Sequence, residues 1–127
     1  MIGTAIYTLL TSDATLNSLC SNISVLRELE NVTAPFLIYS IDGVDPLQTK
    51  DGVSPLDEVR LNLNMFSETD LEVNQIADAA RNLLERYTGT VESEVLQSIR
   101  FELQYNTFDN SSKLFNVVQE YTIRHQK

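Results

Sequence analysis

The sequence predicts an α+β domain: a mostly antiparallel or mixed β-sheet of four to five strands, with one long helix and an N-terminal pair of helices packed on it. Three observations carry this expectation. Val59 to Phe66 alternates apolar and polar side chains, the period-two signature of a strand with one covered face. Ser67 to Tyr87 then switches to helical spacing, with Val73, Ile76, Ala77, Ala80, Leu83, Leu84 and Tyr87 on a single stripe. A helix with one apolar stripe lies on one face of a sheet. The C-terminal third alternates twice more, around a turn rich in Asn, Asp and Ser at Asn106 to Lys113, which predicts an antiparallel hairpin.

The elements follow in order. Ile2, Ile6, Leu9 and Leu10 share a stripe on a first helix. Ser12 or Asp13 caps a second, which turns Leu16, Leu19 and Cys20 inward. Ile23 to Arg27 is a short strand and Glu28 to Ala34 a polar loop. Pro35 starts the next strand, where its missing N–H is harmless. Phe36 to Ile41 is apolar at nearly every position, so both faces of that strand are expected to be covered. Gly43 to Pro55 holds two glycines and two prolines and reads as a long loop between two strands. On Val59–Phe66, Val59, Leu61, Leu63 and Met65 face the core, and Arg60, Asn62 and Asn64 face water or a partner. Ser67 is expected to cap the long helix, with Asp70 three residues on. Thr88-Gly89 ends it after roughly 30 Å at the usual helical rise. In the last hairpin, Ile99, Phe101, Leu103 and Tyr105 are expected on one face and Arg100, Glu102 and Gln104 on the other. Its second strand opposes Phe115, Val117, Tyr121 and Ile123 to Val118, Glu120, Thr122 and Arg124. Arg100, Glu102, Glu120 and Arg124 are placed to pair across the outer face.

At 127 residues the chain is one domain, long enough for a real core. Its net charge of −9 is spread along the sequence, so its surface repels phosphate backbones and anionic lipids. Cys20 is the sole cysteine, which excludes an internal disulfide and a cysteine metal cluster and fits a buried thiol. The N-terminus lacks the basic region of a signal peptide, and no apolar run approaches the ~20 residues of a membrane helix.

The chain offers no catalytic constellation, no metal site and no cofactor motif. His125, the only histidine, lies on the terminal strand, where it is expected to be exposed and a poor general base. Asp51, Gly52 and Glu58 echo part of a calcium loop, but Leu47 would occupy the first ligand position. Asp57 and Glu58 are adjacent on a strand and point to opposite faces, so they cannot readily share a metal or a proton. The aromatics Tyr39, Phe101, Tyr105 and Tyr121 occupy core-like positions rather than a base-stacking surface.

The order of elements resembles the tail terminator (tail completion) proteins of long-tailed bacteriophages. The residues that carry the likeness are the opening helices around Tyr7 to Leu16 and the Pro-aromatic strand Ala34 to Tyr39. Val59–Phe66 running directly into the Asp70–Tyr87 helix, and the closing strand Val118 to Arg124, complete it. The resemblance implies a virion protein made in the host bacterial cytoplasm. It implies a ring, usually a hexamer, at the head-proximal end of the tail tube, which stops tube growth and offers a face to the head–tail connector. Double-stranded DNA would pass through without specific binding, and an acidic lumen would keep it from sticking. The family has no catalytic residues to carry over. A ring needs two different patches meeting head to tail. Candidate patches are the strand faces carrying Arg60, Asn62, Asn64, Arg100, Glu102, Glu120 and Arg124. A candidate interaction loop carries Asp42, Asp45, Lys50, Asp51 and Asp57, and is expected to project toward the lumen or a ring face. Three alternatives stay open: another connector or tail-tube component, a monomeric α+β binding domain and, last, a small enzyme using carboxylates such as Asp57 or Glu102, against which the missing metal-ligand spacing speaks.

Overall fold

A computed structural model describes residues 2–20, 22–25, 34–49, 52–111 and 113–126. The order is α1 (Ile2–Ser12), α2 (Ala14–Leu19), β1 (Asn22–Val25), β2 (Phe36–Thr49), β3 (Gly52–Ser67), α3 (Asp70–Leu84), β4 (Gly89–Val91), β5 (Glu94–Asp109) and β6 (Leu114–Gln126). The strands form one six-stranded sheet in the order β1-β2-β3-β6-β5-β4. All neighbours are antiparallel except β1 with β2, so the α+β expectation holds, and the sheet is mixed at one edge. The strand that the sequence did not announce is β4, three residues long and paired only with Glu94–Leu96 of β5.

The core lies between the helices and one sheet face. Val59, Leu61, Leu63 and Met65 of β3 are all fully buried there, as are Ile6 and Leu10 of α1, Leu16 of α2, and Ile76, Ala80 and Leu84 of α3. Each large apolar side chain taken out of water in this way contributes about 1.5–3 kcal/mol. Asp13 caps α2, its carboxylate accepting from the Leu16 N–H at 2.9 Å. Phe36 to Tyr39 are buried on both faces, and both edges of β2 are paired here, to β1 and to β3.

Four sequence expectations change. Gly43 to Pro55 is not a loop. β2 runs on to Thr49 and β3 begins at Gly52, so the stretch is a long hairpin arm. Its two breakers in β2 are tolerated for physical reasons. Gly43 sits at a register shift directly beneath the Arg60 guanidinium, where a Cβ would come within 2.2 Å of Nη2. Pro46 lies where, among the described residues, β2 is an edge strand, a position in which proline is tolerated.

The long helix is shorter than expected at both ends. Ser67 is the last residue of β3, and Thr69 is the cap, accepting from the Glu72 N–H at 3.2 Å. Glu72 in turn accepts from the Ser67 hydroxyl at 2.5 Å, a capping arrangement spread over strand and helix. The helix stops at Leu84 because Arg86 adopts a left-handed backbone and gives its N–H to the Ile99 carbonyl of β5. A tertiary hydrogen bond thus replaces the last helical turn.

The third change is in β5. A register shift between Phe101 and Leu103 inserts Glu102 as a bulge. One extra residue exchanges the faces of everything beyond it. Gln104 therefore turns toward the core and bonds Gln119, while Leu103 and Tyr105 turn outward and are 41% and 51% exposed. Tyr105 is not a core aromatic. Finally, His125 is largely buried and paired with Glu94 across the β5–β6 ladder, not exposed.

Candidate assembly surface

All three helices pack on one side of the sheet, and its other face carries most of the polar residues that the sequence singled out. The strand register arranges them in rows across β2, β3, β6 and β5. Glu58, Arg124 and Ser98 form one row. Gly43, Arg60, Thr122 and Arg100 form the next, followed by Ser40, Asn62, Glu120 and Leu103, beside the Glu102 bulge. Ile38, Asn64, Val118 and Tyr105 come next, and then Phe36, Phe66, Asn116 and Thr107. Arg60, Asn62, Asn64, Arg100, Glu102, Glu120 and Arg124, read from three separate stretches of sequence, are thus brought onto one surface.

The surface has two halves. The first is charged, with both signs interleaved. Arg100 Nε lies 2.5 Å from Glu102 Oε1, and Arg124 Nε lies 4.0 Å from Glu58 Oε1. The Arg100 hydrogen bond, helped by one from Thr122, holds the Glu102 carboxyl below its ordinary range. An open groove of about 540 Å³ crosses this half, lined by Asp42, Arg60, Arg100, Glu102, Glu120 and Thr122. Asn64 Nδ2 donates to Asn62 Oδ1 at 2.8 Å and marks the boundary. The second half is apolar and aromatic and mostly covered: Phe36 stacks on Phe66 with ring centroids 4.8 Å apart, and Phe36, Ile38 and Val118 are buried, which leaves Tyr105 as its exposed member. The buried Asn116 Oδ1 has no hydrogen-bond partner among the described residues.

The candidate loop residues do not come together. Asp42 is exposed, accepts from the Ser40 hydroxyl at 2.8 Å and borders the groove. Asp57 stands opposite His125, on the helix side of the sheet. Asp45 is in β2 opposite Glu58, but its side chain lies outside the described ones. Lys50 and Asp51 lie outside the described residues.

The arrangement is an open, mixed-charge surface rather than an enclosed cavity. Among the described residues no group of three or more His, Cys, Asp or Glu side chains could hold a metal ion. No described helix is long and apolar enough to cross a membrane. The sequence reading missed the outward aromatic half of β5. Residues 99–105 alternate without a break, so no local signal marks the bulge at Glu102.

The family model for tail completion protein gp17 matches residues 4–126. In fold, the chain is similar to a chain from the virion of a native gene transfer agent particle. The TM-score is 0.81 at 12% identity, over 98% of this chain and 93% of that one. No curated protein matches in sequence.

Proposed function

The chain belongs to the tail completion protein gp17 family, and from that premise we propose that it caps the head-proximal end of a phage tail tube as an oligomeric ring. In this reading the ring is a hexamer. It halts tube polymerisation, presents a docking face to the head–tail connector, and lets double-stranded DNA pass without binding it. Its partners are copies of itself, the tail tube protein and the connector proteins, and it performs no chemical step. The family match over nearly the whole chain carries the proposal. The sheet supports it, since among the described residues the helices lie on one face and the charged half of the other stays open for contacts between molecules.

The experiment is to assemble particles with this gene product missing and to image them by negative-stain electron microscopy. The expected result is overlong tails of irregular length and unjoined heads, with joining restored by the purified protein. Tails of uniform length carrying heads in its absence would overturn the proposal.

A further inference from the structure

The sheet has two open edges, and they lie on opposite sides. β1 covers β2 only at Phe36–Tyr39, so among the described residues β2 has no strand partner on that side along residues 40–49. β4 covers β5 only at Glu94–Leu96, and the Arg86 N–H caps the Ile99 carbonyl. Beyond that point β5 has no outer strand partner along residues 101–108 among the described residues. Because the Ile99 carbonyl points away from β6, the alternation of an antiparallel ladder sends the N–H groups of Gln104, Asn106 and Phe108 the same way.

This β5 edge is unusual for a protein that stays alone. Leu103 to Phe108 carries no charge, and Leu103, Tyr105 and Phe108 are each more than 40% exposed. Uncharged edges of this kind template strand addition, which monomers block with lysine, proline or bulges, and here the Glu102 bulge guards only the start of the segment. The β2 edge has one such guard, Pro46, which leaves residues 40–45 with a full set of donors.

We propose that residues 101–108 of β5 pair with residues 40–45 of β2 from a second copy, so that the sheet continues from one subunit into the next. This rests on the ring proposed above and supplies its interface. Strand polarity supports the occupant. β2 is antiparallel to β3, β3 to β6 and β6 to β5, so β5 runs opposite to β2. Rotation about an axis along the strands leaves direction unchanged, so the β5–β2 junction is antiparallel, like every long pair within the sheet. It is also a contact between two different patches, which can close into a ring. In this arrangement neighbouring copies are staggered along the strands, so that residues 103–108 of β5 meet the open part of β2 and not the stretch covered by β1.

The test measures the mass of the full-length protein in solution at rising concentration, and its attachment to purified tail tubes. It compares the natural chain with Asn106→Pro, Tyr105→Lys and, as a control for added charge elsewhere, the exposed Leu71→Lys. Circular dichroism checks that each variant is folded. The expected result is loss of the oligomer for the two β5 variants and none for the control. In a Cys20→Ser background, Asp42→Cys combined with Leu103→Cys should give a ladder of covalent oligomers on oxidation, whereas either cysteine alone should stop at dimers. If folded β5 variants still form the ring and no ladder appears, the interface is wrong while the ring stands. If the natural chain neither self-associates nor binds tubes, the ring itself fails and the interface with it.

Discussion

The two faces of the sheet are made from the same strands and solve different problems. On the helix side, β3 presents Val59, Leu61, Leu63 and Met65, all sealed under α1 and α3. On the other side, the residues between them, Arg60, Asn62 and Asn64, stay exposed or half-buried among charges and amides. The helix face admits polarity only where every group is satisfied. Gln119 is fully buried, donates to the Ala77 carbonyl at 3.0 Å and to Gln104 Oε1 at 2.7 Å, and accepts from the Tyr121 hydroxyl at 2.8 Å. The outer face leaves the buried Asn116 Oδ1 without a partner among the described residues and exposes aromatic surface. One face is sealed within the chain, and the other keeps charged side chains and Tyr105 exposed.

This contrast is open to attack by substitution. Leu63→Ala opens a cavity in the sealed face and should cost about 2–5 kcal/mol in urea unfolding. A cost below 1 kcal/mol would mean that the helices are not firmly seated. Gln119→Ala leaves the buried Tyr121 hydroxyl without its acceptor, for an expected loss of about 1–3 kcal/mol.

Burial also pushes the Tyr121 phenol above its ordinary value. The fold therefore binds that proton more tightly than the unfolded chain does. Its stabilising effect is complete below the ordinary phenol pKa of about 10 and is lost as pH rises beyond it. Chemical denaturation at a series of alkaline pH values should show the decline, and Tyr121→Phe should flatten it. An equal slope in both proteins would place the hydroxyl in water.

The smallest effect belongs to the outer face. Arg124 is half exposed and 4.0 Å from Glu58, so Arg124→Ala should change stability by no more than about 0.5 kcal/mol. A loss of 2 kcal/mol would erase the distinction between the faces.

The sequence by itself determined the elements whose pattern is local. The alternation of Val59–Phe66 fixed which side chains of β3 are buried, because in a strand neighbours must point opposite ways. The stripe from Val73 to Leu84 likewise fixed the face of α3. Most of the candidate surface was legible for the same reason: Arg60, Asn62, Asn64, Glu120 and Arg124 are what the alternation leaves over. Tertiary structure decided the rest. Gly43 and Pro46 look like loop residues until β3 is laid beside them and supplies a hairpin that tolerates both. Leu103 and Tyr105 look like core until pairing with β6 forces a bulge at Glu102. The physical reason is common to both: whether a residue interrupts a strand, and which face it shows, depends on hydrogen bonds to a partner strand. Those bonds are set by chain segments far away in sequence, and no window along the chain contains them.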